Sequence, residues 1–351
     1  HGHRPIGGDI ARVLRPRNFG GGRQCHHLLD RAEMGVLTAA GPRALYTVRF
    51  PLMGGEALIR FVDARGTAPA EAAAQAAVRE ARRIEAKFSR YSPGSVVSQI
   101  NARAGQGPVP VDEETTFLIR SALELGARTG GRFDPTVGVL RRAWDFRQAR
   151  VPAPEELEAL LPLVDGRSVV LRGGTVALLR PGMELDLGGV GKEYAVDRAT
   201  ERLRDEGVES AVVNFLGDVR TLGRRGDGQP WVVGVQDPRD RRRCRFAIRV
   251  GQGVGVATSG DYERGFEVEG VRYHHLLDAT TGQPARGIAS ATVVAPTAFE
   301  AGQLSTAAFL LGPEAGFRLL LERRGVEGVL IAESGCILAT PGMSRISDLA
   351  S

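Results

Sequence analysis

Lysine is almost missing from this sequence. Of 46 basic residues only Lys87 and Lys192 are lysines. The bias toward arginine reads as the codon usage of a GC-rich genome. The 41 acidic residues leave a formal charge of only +5, so there is no large excess of one sign. A nucleic-acid binder gathers its basic residues in a stripe with aromatics between them. Here only Arg239, Arg241, Arg242, Arg243 and Arg245 cluster, after an Asp237-Pro238 turn, and they read as a solvated loop. No nucleic-acid partner is expected. Cysteine is scarce as well: Cys25, Cys244 and Cys336 lie far apart with no CxxC spacing, which excludes a disulfide scaffold and a cysteine-rich zinc site. No apolar run reaches the roughly 18 residues of a membrane span, so no transmembrane segment is expected. Of six histidines, four fall in the first 43 residues, leaving only His274 and His275 beyond them. What is present in ordinary measure is apolar (42%) and charged (25%) residues, which excludes a disordered chain.

A length of 351 residues suits two domains or one large elaborated one. Residues 1–43 are glycine- and histidine-rich without apolar periodicity, and are expected to be a flexible or atypical N-terminal segment. No apolar core precedes a small-residue cleavage site, so no signal peptide is expected, and the compartment stays open. Strands are expected at Leu45–Phe50 and Glu56–Asp63 around Gly54-Gly55. The spacing of Ala77, Ala81, Ile84 and Phe88 predicts a helix over Glu71–Phe88. Further helices are expected at Glu113–Thr129, Glu193–Glu206, Phe299–Leu311 and Glu314–Arg324. Val169–Leu171 and Val176–Leu179 read as a hairpin, and Ala211–Phe215, Trp231–Gln236, Phe246–Val250 and Ala291–Val294 as strands. Strands and helices do not alternate strictly, so the fold class is α+β with mixed or antiparallel sheets, not a doubly wound parallel sheet.

Five segments offer chemistry. An imidazole base must be His274 or His275. On a strand the two point to opposite faces, so at most one enters a given cleft, and a hydrogen-bonded structural role is the alternative for either. Leu185–Glu193 runs from apolar residues through Gly188, Gly189 and Gly191 into a helix, an arrangement that offers free N–H groups to an anion. It is neither a Walker A loop nor a dinucleotide fingerprint, and chain reversal explains the glycines equally well. Lys192, in a chain that otherwise uses arginine, suggests a site for a compact ammonium. Gly255–Arg264 reads as a small-residue turn presenting Thr258 and Ser259, with Gly260, beside Asp261. Gly130–Gly138 ends a helix and then presents Phe133, Asp134 and Thr136. In Ser89–Asn101, Tyr91 is placed either to stack on a planar ligand or to cover a helix end.

Taken in order, these segments resemble the FAD:protein FMN transferase (ApbE) family. The likeness runs from Phe50–Gly54 through Ser89–Asn101, Gly131–Gly138, Asp186–Asp197, Asn214–Gly223, Gly255–Arg264 and His275–Gly282 to Leu304-Ser305-Thr306-Ala307. It implies a two-lobed, T-fold-like α+β domain over residues 44–345, with a short C-terminal tail at 346–351 and FAD in the cleft. The family moves FMN from FAD to a threonine hydroxyl of a target flavoprotein and releases AMP, often at the cell envelope. Carried over residue by residue, the resemblance makes Met53, Tyr91, Asn101, Phe133, Asp134, Thr136, Asp186, Gly188, Gly189, Lys192, Thr258, Ser259, Gly260, Asp278, Thr281 and Gly282 the FAD-binding set. His275 becomes the base, with Lys192 beside the pyrophosphate. Mg²⁺ is implied at Gly189 and Thr306.

The sequence departs from the family at the metal. Gly302 stands where the family carries an aspartate, which weakens the expected Mg²⁺ site. Glu300 lies about 200° round the helix from that position and is a poor substitute. Glu193 replaces the family's glycine after the lysine, and Asn214-Phe215-Leu216-Gly217-Asp218 replaces Asn-x-Gly-Gly-Asp. Two rivals to transfer follow: a catalytically altered FAD-binding protein, or an FAD pyrophosphatase in which water takes the place of the hydroxyl.

Overall fold

Two hairpins with left-handed turns organise one end of the main sheet. In the computed structural model, which describes residues 44–349, β1 (Ala44–Leu52) pairs antiparallel with β2 (Gly55–Asp63), and Leu52 lies opposite Gly55. The connection is therefore the dipeptide Met53-Gly54, with φ of 49° and 78°. That geometry matches the twist of the flanking strands. Helix α1 (Thr67–Phe88) buries Ala73, Ala77, Ala81, Ile84 and Phe88 along one face, the stripe its spacing predicts. It starts four residues earlier than expected. Ser95 caps α2 (Val96–Ala102). After β3 (Val109–Pro110), Asp112 caps α3 (Glu113–Arg128). A small sheet joins β3 to β5 (Thr175–Leu178) and β4 (Val169–Arg172), beyond the short α4 (Pro154–Leu160).

Helix α5 (Gly191–Asp205) leads to the second hairpin, β6 (Ser210–Phe215) and β7 (Asp218–Leu222). Its turn, Leu216-Gly217, has φ of 53° and 98°. A long ribbon follows, β8 (Trp231–Asp237) with β9 (Asp240–Val250), then β10 (Gly255–Gly260) and the hairpin of β11 (Gly265–Val268) and β12 (Val271–His274). The chain closes with β13 (Ile288–Ala295), α6 (Ala298–Leu311), α7 (Pro313–Leu321), β14 (Glu327–Ala332), β15 (Ile337–Ala339) and α8 (Met343–Ile346). Ser347 bridges to Ile248, and the Asp348 N–H donates to the Ala247 carbonyl, tying this end to the ribbon.

The main sheet runs β1-β2-β6-β7-β10-β13-β14-β15, and its strand pairs are antiparallel. The alternation of its side chains makes a three-layer molecule. Ala211, Val213, Phe215, Ala257, Ala291 and Val293 face α1, α5 and α6. Val212, Val219, Val256, Val294 and Val329 face the ribbon, against Trp231, Val233 and Ile248. The α+β reading holds.

Two expectations change. Thr258 and Ser259 do not sit on a turn: Gly255–Gly260 is a central strand. Its small residues serve close packing, since a Cβ at Gly255 would collide with the Thr297–Ala298 backbone at the start of α6. The arginine run is not a loop either. Arg241, Arg242, Arg243 and Arg245 lie on β9, where Arg243 and Arg245 pair with Asp240 and Asp237, while Arg239, in the turn before the strand, pairs with Asp261 at 2.7 Å.

Candidate active site

A cleft of about 1120 Å³ opens at the end of the sheet where the two left-handed turns lie. Met53 and Leu216, both non-glycine residues at positive φ, line it. Such strained positions persist where the surrounding structure holds them. Here the Met53 N–H donates to Glu85 at 2.5 Å, and the Gly217 N–H donates to Asn214 Oδ1 at 2.9 Å. Tyr91, 74% exposed, stands at the rim with Arg90 at its face.

The glycine turn forms the floor. Gly188, Gly189, Gly191 and Lys192 line the cleft at the start of α5, where no side chain caps the helix. First-turn N–H groups and the helix dipole favour an anion there. Phe133 packs so closely behind Gly189 that a Cβ would sit 2.8 Å from its ring. Asp186, just before, is held by Arg90 (3.1 Å), Arg141 (3.2 Å) and the Gly188 N–H (2.8 Å). Burial opposes its ionisation, but Arg141 and Arg90 outweigh that and keep its carboxyl below the ordinary value. Asn101 fixes the approach to this turn, exchanging hydrogen bonds with both backbone groups of Leu185.

Lys192 Nζ lies 2.6 Å from Asp218 and 3.8 Å from Glu193. Burial would lower its pKa, but these two carboxylates raise it, so it stays an ammonium. Glu193 is 6% exposed, and its Oε2 has no hydrogen-bond partner. Its pKa is raised well above the carboxylate range, by burial first and then by Asp218. On the neighbouring wall Ser259 Oγ meets Ser305 Oγ at 3.0 Å and Thr306 Oγ1 at 3.1 Å, and the Thr258 N–H reaches Asp218 at 3.3 Å. Gly260 leaves room for the Tyr262 ring, with which a Cβ would collide.

The two histidines separate as their adjacency requires. His274 ends β12, is 1% exposed, donates from Nε2 to the Ala285 carbonyl at 2.9 Å and packs edge-on against Phe309. It belongs to the core. His275, the next residue, lines the cleft with Leu276 and Leu277. Its Nδ1 lies 3.2 Å from the Arg264 carbonyl. A carbonyl only accepts, so Nδ1 carries the proton and Nε2 keeps its lone pair. Burial, reinforced by the Arg264 charge, pushes its pKa down to about 3. The imidazole is neutral near pH 7.

Met53, Tyr91, Phe133, Asp134, Asp186, Gly188, Gly189, Lys192, Thr258, Ser259, Gly260, His275 and Thr306 thus meet in one cleft. Asn101, Thr136, Asp278, Thr281 and Gly282 stand behind it. The Asp134 carboxylate is occupied by Thr136 and the Gly166 N–H. Asp278 holds Arg132 and Thr280, and the Gly282 carbonyl takes the Trp144 indole N–H. Glu193, Arg141 and Arg264 also line the cleft, and Asp218 stands behind them as the partner of Lys192, but all four were missing from the expected set. Asp218 carried a signal, lying in a family-like segment, whereas scattered arginines among 44 carried none. Among the described residues no group of three or more His, Cys, Asp or Glu is placed to hold a metal ion. No helix among them is long and apolar enough to cross a membrane.

The model of the ApbE family matches residues 53–330. The FAD:protein FMN transferase of Treponema pallidum is 34% identical over 303 residues, covering 81% of this chain and 84% of that protein. The crystal structure of the ApbE protein from Thermotoga maritima superposes with a TM-score of 0.77 at 37% identity, over 86% of this chain and 99% of the other. The flavin transferase ApbE from Vibrio cholerae gives 0.78 at 27% identity, over 87% and 100%.

Proposed function

The chain belongs to the ApbE family, and from that premise we propose that its cleft moves FMN from FAD to a threonine hydroxyl of a target flavoprotein. As a member of that family it is an FAD:protein FMN transferase; the residue roles are our inference. The threonine oxygen attacks the FMN-side phosphorus, the bond from that phosphorus to the bridging oxygen breaks, and AMP leaves with the bridging oxygen. His275 Nε2 accepts the hydroxyl proton. The Lys192 ammonium and the open start of α5 bind the pyrophosphate charge, which phosphoryl transfer must see neutralised. Met53, Tyr91 and Phe133 offer apolar surfaces to the ring systems. Asp186, anchored by Arg90 and Arg141, positions the glycine turn, with Asn101, Thr136, Asp278, Thr281 and Gly282 as its supports and those of the facing loops.

The observation that carries this reading is a neutral histidine with a free Nε2 on one wall of a cleft whose floor is a glycine turn with a half-buried ammonium. Mg²⁺ is part of the proposal. An unpaired, buried carboxylate oxygen in the same cleft fits a hard cation, and the Gly189 carbonyl and Thr306 hydroxyl would help hold it. When bound, the ion neutralises developing phosphate charge.

The test is AMP release from FAD, followed by liquid chromatography, with Mg²⁺ or EDTA and with or without an acceptor flavoprotein domain. AMP that requires both Mg²⁺ and acceptor, with flavin bound covalently to the acceptor threonine, is the expected result. AMP without acceptor would make the protein a pyrophosphatase. Bound FAD with no AMP under any condition would make it a flavin-holding protein.

A further inference from the structure

Helices α5 and α6 run side by side, and one residue fixes their register. Asp197 of α5 accepts the first N–H groups of α6, from Ala298 and Phe299, each at 2.9 Å. One turn back along α5 stands Glu193, and one turn on along α6 stands Gly302. They meet: a Cβ at Gly302 would lie 2.7 Å from Glu193 Cδ and nearer still to its Cγ. The space a side chain at 302 would need is filled by the glutamate stem. Continuing the same stagger leads to Gly189 on one side and Thr306 on the other, and both line the cleft.

The chemistry at that seam is unbalanced. Glu193 and Asp218 both approach the single Lys192 ammonium, at 3.8 and 2.6 Å. Glu193 is 6% and Asp218 2% exposed, and Glu193 Oε2 has no partner. Buried carboxylates facing each other are costly without cationic compensation. Structural packing alone would leave the unpaired oxygen without a purpose, since a glutamine or leucine would fill the same volume.

We propose that Glu193 supplies the carboxylate ligand of a divalent-cation site at the α5–α6 seam, across the space left by Gly302, with Asp218 opposite and the Thr306 hydroxyl beside it. The acidic ligand is thereby delivered from α5, and Gly302 is what admits it. Two carboxylates, a hydroxyl and a carbonyl form an all-oxygen donor set suited to Mg²⁺ or Mn²⁺. This rests on the flavin-transfer reading only for the ion's use.

The experiment measures metal binding on the full chain without FAD, using Mn²⁺ alone as an electron-paramagnetic-resonance probe and Mg²⁺ as competitor. Glu193→Gln is expected to weaken Mn²⁺ binding about tenfold or more, as loss of one charged ligand should. In EDTA the same variant should melt no lower than the wild type, because a glutamine fills the same volume and carries no ionisation cost, while the Mg²⁺-induced rise in melting temperature disappears. A merely structural glutamate would give the opposite pattern. Gly302→Asp alone should melt lower, from overpacking against Glu193. The pair Glu193→Gly/Gly302→Asp, which moves the carboxylate to α6, should regain Mn²⁺ binding. Undiminished Mn²⁺ binding in Glu193→Gln, or no Mn²⁺ binding by the wild type, overturns the inference. AMP release from FAD judges the transfer reading separately: undiminished Mn²⁺ binding in Glu193→Gln leaves it intact, and no metal binding by the wild type removes its Mg²⁺ requirement but not its acceptor requirement.

Discussion

Adjacent residues with the same side chain do different work because a strand end separates their faces. His274 is sealed against Phe309 and His275 opens on the cleft. The sequence left two candidates for the base, and the choice was invisible there because it depends on which face of β12 meets α6. His275 carries a testable pH signature. Burial and Arg264 hold its pKa near 3, below the ordinary 6.5, and a base works when it is unprotonated. Its activity is therefore expected to be complete above the ordinary histidine range and to persist as pH falls through 6.5, failing only toward 3. The flavin-transfer kcat/KM should show no acid limb near 6.5 from this residue. A limb there that disappears in His275→Ala would show that the imidazole titrates normally. The substitution itself should slow transfer by roughly 10²–10⁴ while leaving FAD affinity, measured by fluorescence quenching, within about threefold of wild type, because uniform binding is carried elsewhere.

The legible elements were those whose stabilising contacts are local and periodic. Helices α1, α3 and α5 announce themselves by apolar spacing and end signals, and the wide apolar run of α6 by its length. Strands β7 and β10 did not. Thr258 and Ser259 look like a turn because small polar residues favour turns, yet β10 needs them small so that α6 can approach. That pressure comes from residues some forty positions away. The same holds for Asp197, which reads as an ordinary polar position in a helix and in fact helps cap another one alongside its N-cap Thr297. Its carboxylate satisfies two N–H groups at the start of α6 and approaches Arg220 at 3.3 Å. Asp197→Ala should cost about 2–4 kcal/mol in urea unfolding, combining a lost cap with buried donors left unpaired. Asp197→Asn should recover part of it, since an amide oxygen can still accept one bond. Equal losses in the two variants would mean that the Arg220 ion pair, not the cap, dominates.

At the scale of the whole molecule, the cleft is assembled from pieces far apart in the chain. The Met53-Gly54 turn, the Phe133–Arg147 stretch, the Asp186–Glu193 turn, the end of β10 and His275–Leu277 each contribute a wall. The order of motifs along the sequence therefore identified the family well, whereas the side chains behind each wall, such as Asn101 and Asp278, were indistinguishable from those facing inward. Distance along the chain says nothing about which side of a loop points to the ligand. This assembly makes a prediction that a local site would not. FAD bound only to the native state stabilises it by mass action, by about 2.7 kcal/mol at 100 times Kd. Because the bound molecule bridges separate segments, hydrogen-exchange protection on adding FAD should rise together in the Met53-Gly54 turn, the Asp186–Gly191 turn and the His275–Leu277 stretch, with the β14–β15 turn at Glu333–Gly335, which does not line the cleft, unaffected. Protection confined to one of those three segments would place FAD at a single wall, and His275 and Lys192 could not then act on the same pyrophosphate.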